Sequence, residues 1–454
     1  MGKEVVSLGL PDELTRRLDR LRALRVAQGP AVVTDFRHKV KDVVVIASGS
    51  RGGSSIFTEL LRHSPDLVHF QAEINPFLVI GGLGFPHSDT GSDALGAQHV
   101  THPGVPLISE EMALDAGRRV ESWGLDEMGR MAMNLAWRLA VQWPELVTEP
   151  SKVVEWTRVA LDVVGRNLTM ENLSEFHVAF LQQAQQAGVP VDMRAYDLPP
   201  DLIGRDGAAE AFQPLGSCLV EEPPFVTVSP WRQVDEADLA SRPLVIKTPS
   251  NAYRLPFLRA FFPNARFRVL HLTRNPAGSI NGLFDGWRYH GFHVHWMSEP
   301  LAIKGYSHAH WWKYDLPPGW ENWTKEPLEQ VCGFQWRSAH QSVLNWLDSE
   351  GSDVSVCRVR FEDVVRAPSV NADDEVNVDG QLACFQQITD WLGIPFGPEL
   401  QQVIRRGAPP VMATVPPRQR RWFARADLLE PVLRRKDVRE LADRMGYGDE
   451  TTWI

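Results

Sequence analysis

The chain has 454 residues, a formal charge of −10, and 43% hydrophobic and 23% charged residues. That length supports a large buried core, and the composition is ordinary for a globular protein. The acidic balance argues against a chain-wide nucleic-acid or anionic-membrane surface, and no apolar run approaches the length of about 18 residues that a membrane-spanning helix needs.

Four scattered cysteines (Cys218, Cys332, Cys357 and Cys384) form neither a disulfide framework nor a CxxC metal site. The opening MGKEVVSLGLPDELTRRLDRLRALRVAQG lacks the apolar centre of a secretory signal, so the expectation is a cytoplasmic, reduced protein.

From about Asp12 to Ala27, Leu and Arg recur at helical spacing, which predicts an amphipathic helix in an N-terminal extension, residues 1–40. Val43–Ala47 (VVVIA) is the kind of β-branched run found in strands buried on both faces. It passes through SGSRGGSS into the apolar-periodic Ile56–Leu61, giving strand, glycine-rich turn and helix. Met112–Leu146 and Asn172–Ala187 read as helices with Pro- and Gly-rich connections. Residues of about 76–242 are therefore expected as a helical insertion within one domain spanning 41–454. Further strands are expected at PLVIK, ending at Lys247, at Phe267–Arg274 and at Val354–Phe361, the last followed by a helix over Gln381–Leu392. The acidic segment 371–380 reads as a surface loop. Alternating strands and helices predict an α/β fold with a mainly parallel central sheet flanked by helices. In such sheets ligands sit beyond the carboxyl ends of the strands.

The stretch Gly49-Ser50-Arg51-Gly52-Gly53-Ser54-Ser55 lies at such an end. Small residues there expose backbone N–H groups, and the next helix adds its positive dipole end. Ser54 and Ser55 add hydroxyl donors, and Arg51 adds a fixed charge. No lysine precedes the serines, so the stretch is not the kinase loop GxxxxGK[ST]. A glycine-rich turn capped by serines is the plainer alternative. Arg274 closes a second strand and offers the planar fork suited to phosphate, or it is a solvated strand-end arginine. Lys247 closes a third strand, where it either points into the cleft or sits on the surface. Glu73, in HFQAEINPF, suits a general base in an apolar cleft, and equally an ordinary ion pair; His69 is a weaker competitor.

Together and in this order these segments resemble the sulfotransferases that use 3′-phosphoadenosine 5′-phosphosulfate (PAPS), particularly the bacterial type. The resemblance places Arg51 on the basic position of the 5′-phosphosulfate loop, Gly53 on its glycine, and Ser54 and Ser55 on its hydroxyl pair. Ser50 stands where proline is usual and Gly52 where serine is usual. VLHLTRNPAGSINGL is similar to the 3′-phosphate segment, with Arg274 on its arginine. Gly282 stands where many relatives carry serine, and Ser279 or Asn281 is available from the same helix turn. LVIKTPS followed by FFPNARF resembles the bacterial and tyrosyl-protein pattern around Lys247. VRFEDVVRAP and ITDWLGIPF resemble scaffold segments. PPRQRRWFAR, with Arg418, Arg420 and Arg421, resembles a basic loop closing over the cofactor.

The resemblance implies a P-loop NTPase-like fold and transfer of a sulfuryl group from PAPS to a hydroxyl, less readily an amine. The acceptor it implies is a small molecule such as a secondary metabolite or a carrier-bound group. Arg51 and Lys247 would be catalytic, as would Glu73, which sits close to where tyrosyl-protein and many bacterial relatives carry a functional glutamate after the first helix. Ser50 to Ser55, Arg274, Ser279, Arg420 and Arg421 would hold the donor, with no metal and no nucleic-acid or membrane partner. A P-loop kinase-like enzyme and a catalytically inactive nucleotide-binding module are the alternatives, the latter kept open by Gly52 and Gly282.

Sixteen tryptophans, many between Trp287 and Trp346, describe either an aromatic acceptor cavity or core packing. Trp287, His290, His293, Trp311 and Trp312 are the acceptor-pocket candidates. His290, His293, His295, His308 and His310 are closely spaced but lack cysteine or carboxylate partners at zinc-site spacing.

Overall fold

The run Val43–Ala47 is apolar at every position because both of its faces are covered. Val43, Val45 and Ala47 pack into one core, and Val44 and Ile46 pack into another on the opposite side. Each of the four buried Val and Ile side chains contributes about 1.5–3 kcal/mol, which favours this segment as the centre of the sheet.

The computed structural model describes residues 16, 18–23, 33–143, 149–199, 201–203, 220–289, 291–292, 294–365, 378–407, 411–414 and 418–453. Strands β1 (Asp42–Ala47), β2 (Val68–His69), β3 (Gly117–Arg119), β4 (Trp231–Gln233), β5 (Leu244–Lys247), β6 (Arg266–Thr273) and β7 (Ser355–Arg360) form one seven-stranded sheet. Their order is β7-β6-β1-β5-β2-β3-β4. The first five in that order run parallel, and β3 and β4 are added antiparallel at one edge. This is an α/β fold with a mainly parallel sheet flanked by helices. The principal helices are α1 (Ser54–Leu61), α2 (Met128–Gln142), α3 (Pro150–Val163), α4 (Leu173–Gln186), α5 (Pro276–Arg288) and α6 (Leu328–Leu347). Among the described residues no helix is long and apolar enough to cross a membrane.

Within the 76–242 span, α2, α3 and α4 supply the expected helices, but the span also contributes β3 and β4 to the main sheet. The continuous helix expected over Met112–Leu146 is divided into Val105–Asp115, β3 and α2. Asp115 is the reason. Its carboxylate accepts from Gln71 N at 2.9 Å and from Arg138 Nη2 at 2.6 Å, and its carbonyl accepts from Trp231 Nε1 at 3.1 Å. These partners come from distant segments, so apolar periodicity along α2 carries no trace of the break. The described part of the extension packs on the same core as β1, through Leu18, Leu21, Val33 and Phe36. Arg22 Nε also donates to the buried Glu111 at 2.6 Å.

β1 sits between β5 and β6, so the loops after these three adjacent strands open on one crevice.

Candidate functional site

The loop after β1 is a tight turn, with Gly52 N donating to Gly49 O at 3.1 Å. A Cβ on Gly52 would stand 2.8 Å from that same carbonyl. The position where the resembled motif carries serine is therefore closed to any side chain without a backbone shift. Gly53 takes φ 91°, and a Cβ there would meet the Phe361 ring at 2.0 Å. The two glycines let the backbone turn under Phe361 and deliver Ser54 and Ser55 to the first turn of α1. The first N–H groups of that helix have no intrahelical acceptor, and together with the dipole they favour an anion. Ser50 Oγ donates to the buried Asp315, which also accepts from Tyr253 Oη at 2.7 Å. Burial pushes the Asp315 carboxyl up to about 6, against the two donors.

Arg51 itself is left-handed, with φ 60°. Its guanidinium donates to Met412 O at 2.8 Å and Thr414 Oγ1 at 3.4 Å, and it lies 5.4 Å from the Phe292 ring centre.

The segment Thr273-Arg274-Asn275-Pro276 ends β6 and begins α5. Asn275 caps the helix by accepting from Gly278 N at 2.7 Å, and Pro276 occupies the first turn. Glu362, just past β7, accepts from both Asn275 N at 2.9 Å and Asn275 Nδ2 at 2.8 Å, holding the strand ends together. This geometry turns Arg274 back over the β1 loop. Its Nη1 donates to Arg51 O at 3.2 Å, and its guanidinium covers the Phe361 ring at 4.6 Å. Burial pushes its pKa down to about 10; Glu362 opposes the shift, and the positive charges of Arg51 and Arg421 add to it. Arg274 Nε and Ser279 Oγ are buried polar atoms without a hydrogen-bond partner among the described residues. Gly282 faces the same space, since a Cβ there would stand 3.4 Å from Arg51 Cβ and 4.0 Å from Arg274 Nη1.

Lys247, at the end of β5, donates to Ser55 Oγ at 2.9 Å and to Glu73. The approach of Glu73 is set by the backbone, because Ile74 N donates to Thr248 Oγ1 at 3.0 Å and so ties the two loops. The fold thus brings Arg51, Ser54, Ser55, Lys247, Glu73 and Arg274 to one crevice, the two serines from the first turn of α1 and the others from the end of a strand or the loop beyond it.

The basic C-terminal stretch divides. Arg421 pairs with Asp285 on α5, and its pKa is lowered by burial against that carboxylate. Arg425, absent from the candidates, joins the same Asp285 at 2.6 Å and donates to Asn281 Oδ1 at 2.8 Å. Arg420 is exposed and lies 5.8 Å from the Phe423 ring centre.

The structure places the aromatic candidates in packed surroundings. Trp287 and Trp312 are fully buried in an edge-to-face contact at 5.2 Å, and their indole N–H groups are taken by Gln335 Oε1 and Asp315 O. Trp311 is buried against Trp296. His290 and His293 lie outside the described residues, as do Cys218 and residues 371–377 of the expected acidic loop, whose last three residues instead begin the helix Val378–Leu392. Phe292, from the same aromatic stretch, does reach the crevice, over Arg51. The buried Lys313, reaching Gly286 O, Tyr289 O and Gly291 O, holds its loop at the end of α5. Asp315, Phe361, Phe292 and Arg425 are the site residues that motif reading missed. Arg425 alone carried a signal, one helical turn past Arg421 in a stretch already basic.

No family model and no curated protein sequence matches the chain. Among solved structures, it is similar to a sulfotransferase domain from the curacin biosynthetic pathway, with 13% identity, 90% of this chain and 98% of that one covered, and a TM-score of 0.36. It is also similar to the sulfotransferase domain of the Synechococcus PCC 7002 olefin synthase (14% identity, 90% and 96% covered, TM-score 0.34). Sulfotransferase STF9 from Mycobacterium avium matches at 13% identity, with 96% and 84% covered and a TM-score of 0.34. Overlaps this loose carry no functional argument; the residues of the crevice have to carry it.

Proposed function

We propose that the chain is a sulfotransferase that moves a sulfuryl group from PAPS to a hydroxyl of a small-molecule acceptor. The observation that carries this reading is the charge of the crevice. Arg51 and Arg274 come together at the ends of adjacent strands with backbone carbonyls, a threonine hydroxyl and aromatic rings as partners, and with no carboxylate in ion-pair contact among the described residues. Clustered guanidiniums that form no ion pair favour a polyanion. Arg274 Nε and Ser279 Oγ, each without a hydrogen-bond partner among the described residues, are donors that a phosphate would satisfy.

PAPS supplies a sulfuryl group on a phosphate leaving group, flanked by a second phosphate on the ribose. The β1 loop N–H groups, Ser54 and Ser55 would bind the phosphosulfate end, and Arg274 with Ser279 the 3′-phosphate. Arg51 and Lys247 would stabilise the charge that grows on the leaving oxygen, the largest electrostatic demand of a loose in-line transfer. Lys247, bonded to both Ser55 and Glu73, links the donor loop to the base. Glu73 would hold the acceptor's proton. A kinase-like reading is less well supported, because the lysine comes from β5 and not from the loop.

Calorimetry with 3′-phosphoadenosine 5′-phosphate (PAP), with ATP and AMP as controls, tests the donor. PAP should bind selectively, and Arg51→Ala and Arg274→Ala should each weaken it by about 10- to 100-fold, the worth of one charge-assisted contact. A preference for ATP would return the chain to the kinase-like alternative.

A further inference from the structure

The β1 loop holds a turn that its own residues do not favour. Gly52 N donates to Gly49 O at 3.1 Å, so Gly49–Gly52 form a β-turn with Ser50 and Arg51 at its centre. Of these two, Arg51 alone has a positive φ, 60°. That is the type II pattern, which suits proline at the first central position and glycine or asparagine at the second. The chain supplies neither. An arginine, whose Cβ disfavours the left-handed region, stands where glycine would fit, and a serine stands where proline would.

The restraint comes from outside the loop. Ser50 is 3% exposed, and its hydroxyl is committed to the buried carboxylate of Asp315. Asp315 is in turn held from several sides. Its carboxylate accepts from Tyr253 Oη at 2.7 Å, and its carbonyl accepts from Trp312 Nε1 at 3.0 Å and from Gln335 Nε2 at 2.9 Å. The next N–H, that of Leu316, donates to Asp93 at 2.8 Å. The two residues before Asp315 reach the other side of Arg51. Tyr314 packs its ring 5.5 Å from that of Phe292, which lies over the Arg51 guanidinium, and Lys313 donates to Gly291 O at 2.6 Å in the Phe292 loop. The segment 313–315, in no motif, therefore holds Arg51 through its backbone neighbour and through the ring over its guanidinium.

We propose that Asp315 is the positioning residue of the donor loop: its bond to Ser50 holds the Gly49–Gly52 turn with Arg51 left-handed, the restraint that a proline ring at position 50 would supply. This rests on the sulfuryl-transfer reading, in which Arg51 and the loop N–H groups are what the turn presents to the phosphosulfate. Ser50 then serves the donor through the turn and not through contact between its hydroxyl and the ligand. The loop is built to accept the exchange. Gly49 has no Cβ to clash with a following proline ring, and Ser50 N donates to no group among the described residues.

Calorimetry with PAP on variants at the two positions tests this. Ser50→Ala removes the bond and should weaken PAP about ten-fold, because the ligand must then order the turn itself. Ser50→Pro lacks the hydroxyl too but presets φ, and should return the affinity to within about three-fold of the wild type. Rescue by a residue that cannot hydrogen-bond is what sets a positioning role apart from a contact with the ligand. Asp315→Ala should match Ser50→Ala, yet should add less than about three-fold once proline occupies position 50. Thermal unfolding shows which variants are folded, and the two Ser50 variants decide the matter if Asp315→Ala is not. The proposal is overturned if Ser50→Ala binds PAP like the wild type, if Ser50→Pro binds no more tightly than Ser50→Ala, or if Asp315→Ala costs the same in both backgrounds. A folded wild type that does not bind PAP would overturn the donor reading instead.

Discussion

Arg138 and Arg274 are both withdrawn guanidiniums, and their surroundings differ in kind. Arg138, on α2 in the insertion, is 2% exposed and meets two carboxylates, Asp115 at 2.6 Å and Glu221 at 3.1 Å. Burial lowers its pKa, but the two carboxylates outweigh burial and the net shift is upward. Arg274 meets a carbonyl and a ring; burial lowers its pKa, Glu362 opposes that, Arg51 and Arg421 add to it, and the net shift is downward. Elsewhere the pattern of Arg138 recurs: Arg254 is matched by Asp93, and Arg119 by Glu59. Arg138, Arg254 and Arg119 each meet a carboxylate within 4 Å, whereas Arg51 and Arg274, at adjacent strand ends, form no ion pair among the described residues. That contrast separates charge used for architecture from charge open to a ligand.

The sharpest way to break that comparison is the same truncation at both sites. Arg138→Met should cost about 3–5 kcal/mol by stranding two buried carboxylates, whereas Arg274→Met, which breaks no ion pair, should leave the unfolding midpoint almost unchanged. Denaturant unfolding of the two variants reads this directly, and equal losses would show that Arg274 is architectural.

Next in size is a pH effect at the anchor of the donor loop. Asp315 has its pKa raised to about 6 in the folded protein, above the unfolded value of about 3.9. Its contribution is therefore fully present below about pH 4 and lost as pH rises through about 6, by roughly 1–3 kcal/mol. Asp315→Asn should flatten the stability profile in that window, and an unaltered slope would assign it to other groups.

The smallest expected effect sharpens the picture of the anion site. Because a Cβ at Gly282 finds Arg51 Cβ at 3.4 Å and Arg274 Nη1 at 4.0 Å, Gly282→Ser places a hydroxyl beside the cluster at little steric cost. PAP affinity should rise about three-fold to ten-fold, the worth of one hydrogen bond. A loss of affinity would mean that the ligand itself fills this space.

What the sequence determined by itself is what short-range physics controls. A β-branched run buried on both faces, a glycine turn feeding a helix N-terminus, and an Asn-Pro cap after a strand act within a few residues, so β1, β5, β6, β7 and the residues at their ends were legible. Arg51, Lys247 and Arg274 were found this way, because position at a strand end is itself a local property; Glu73 came from the family resemblance, since no strand was expected before it.

The tertiary structure decided which side chains answer one another. Ser50 meets Asp315 across 265 positions, and Asn75 meets Glu222 across 147. The partners of Asp115 cut a helix whose periodicity ran on unbroken. Trp287 and Trp312 turned inward while Phe292 reached Arg51. Periodicity records that a residue is apolar or charged; whether its charge is cancelled depends on what the chain folds against it.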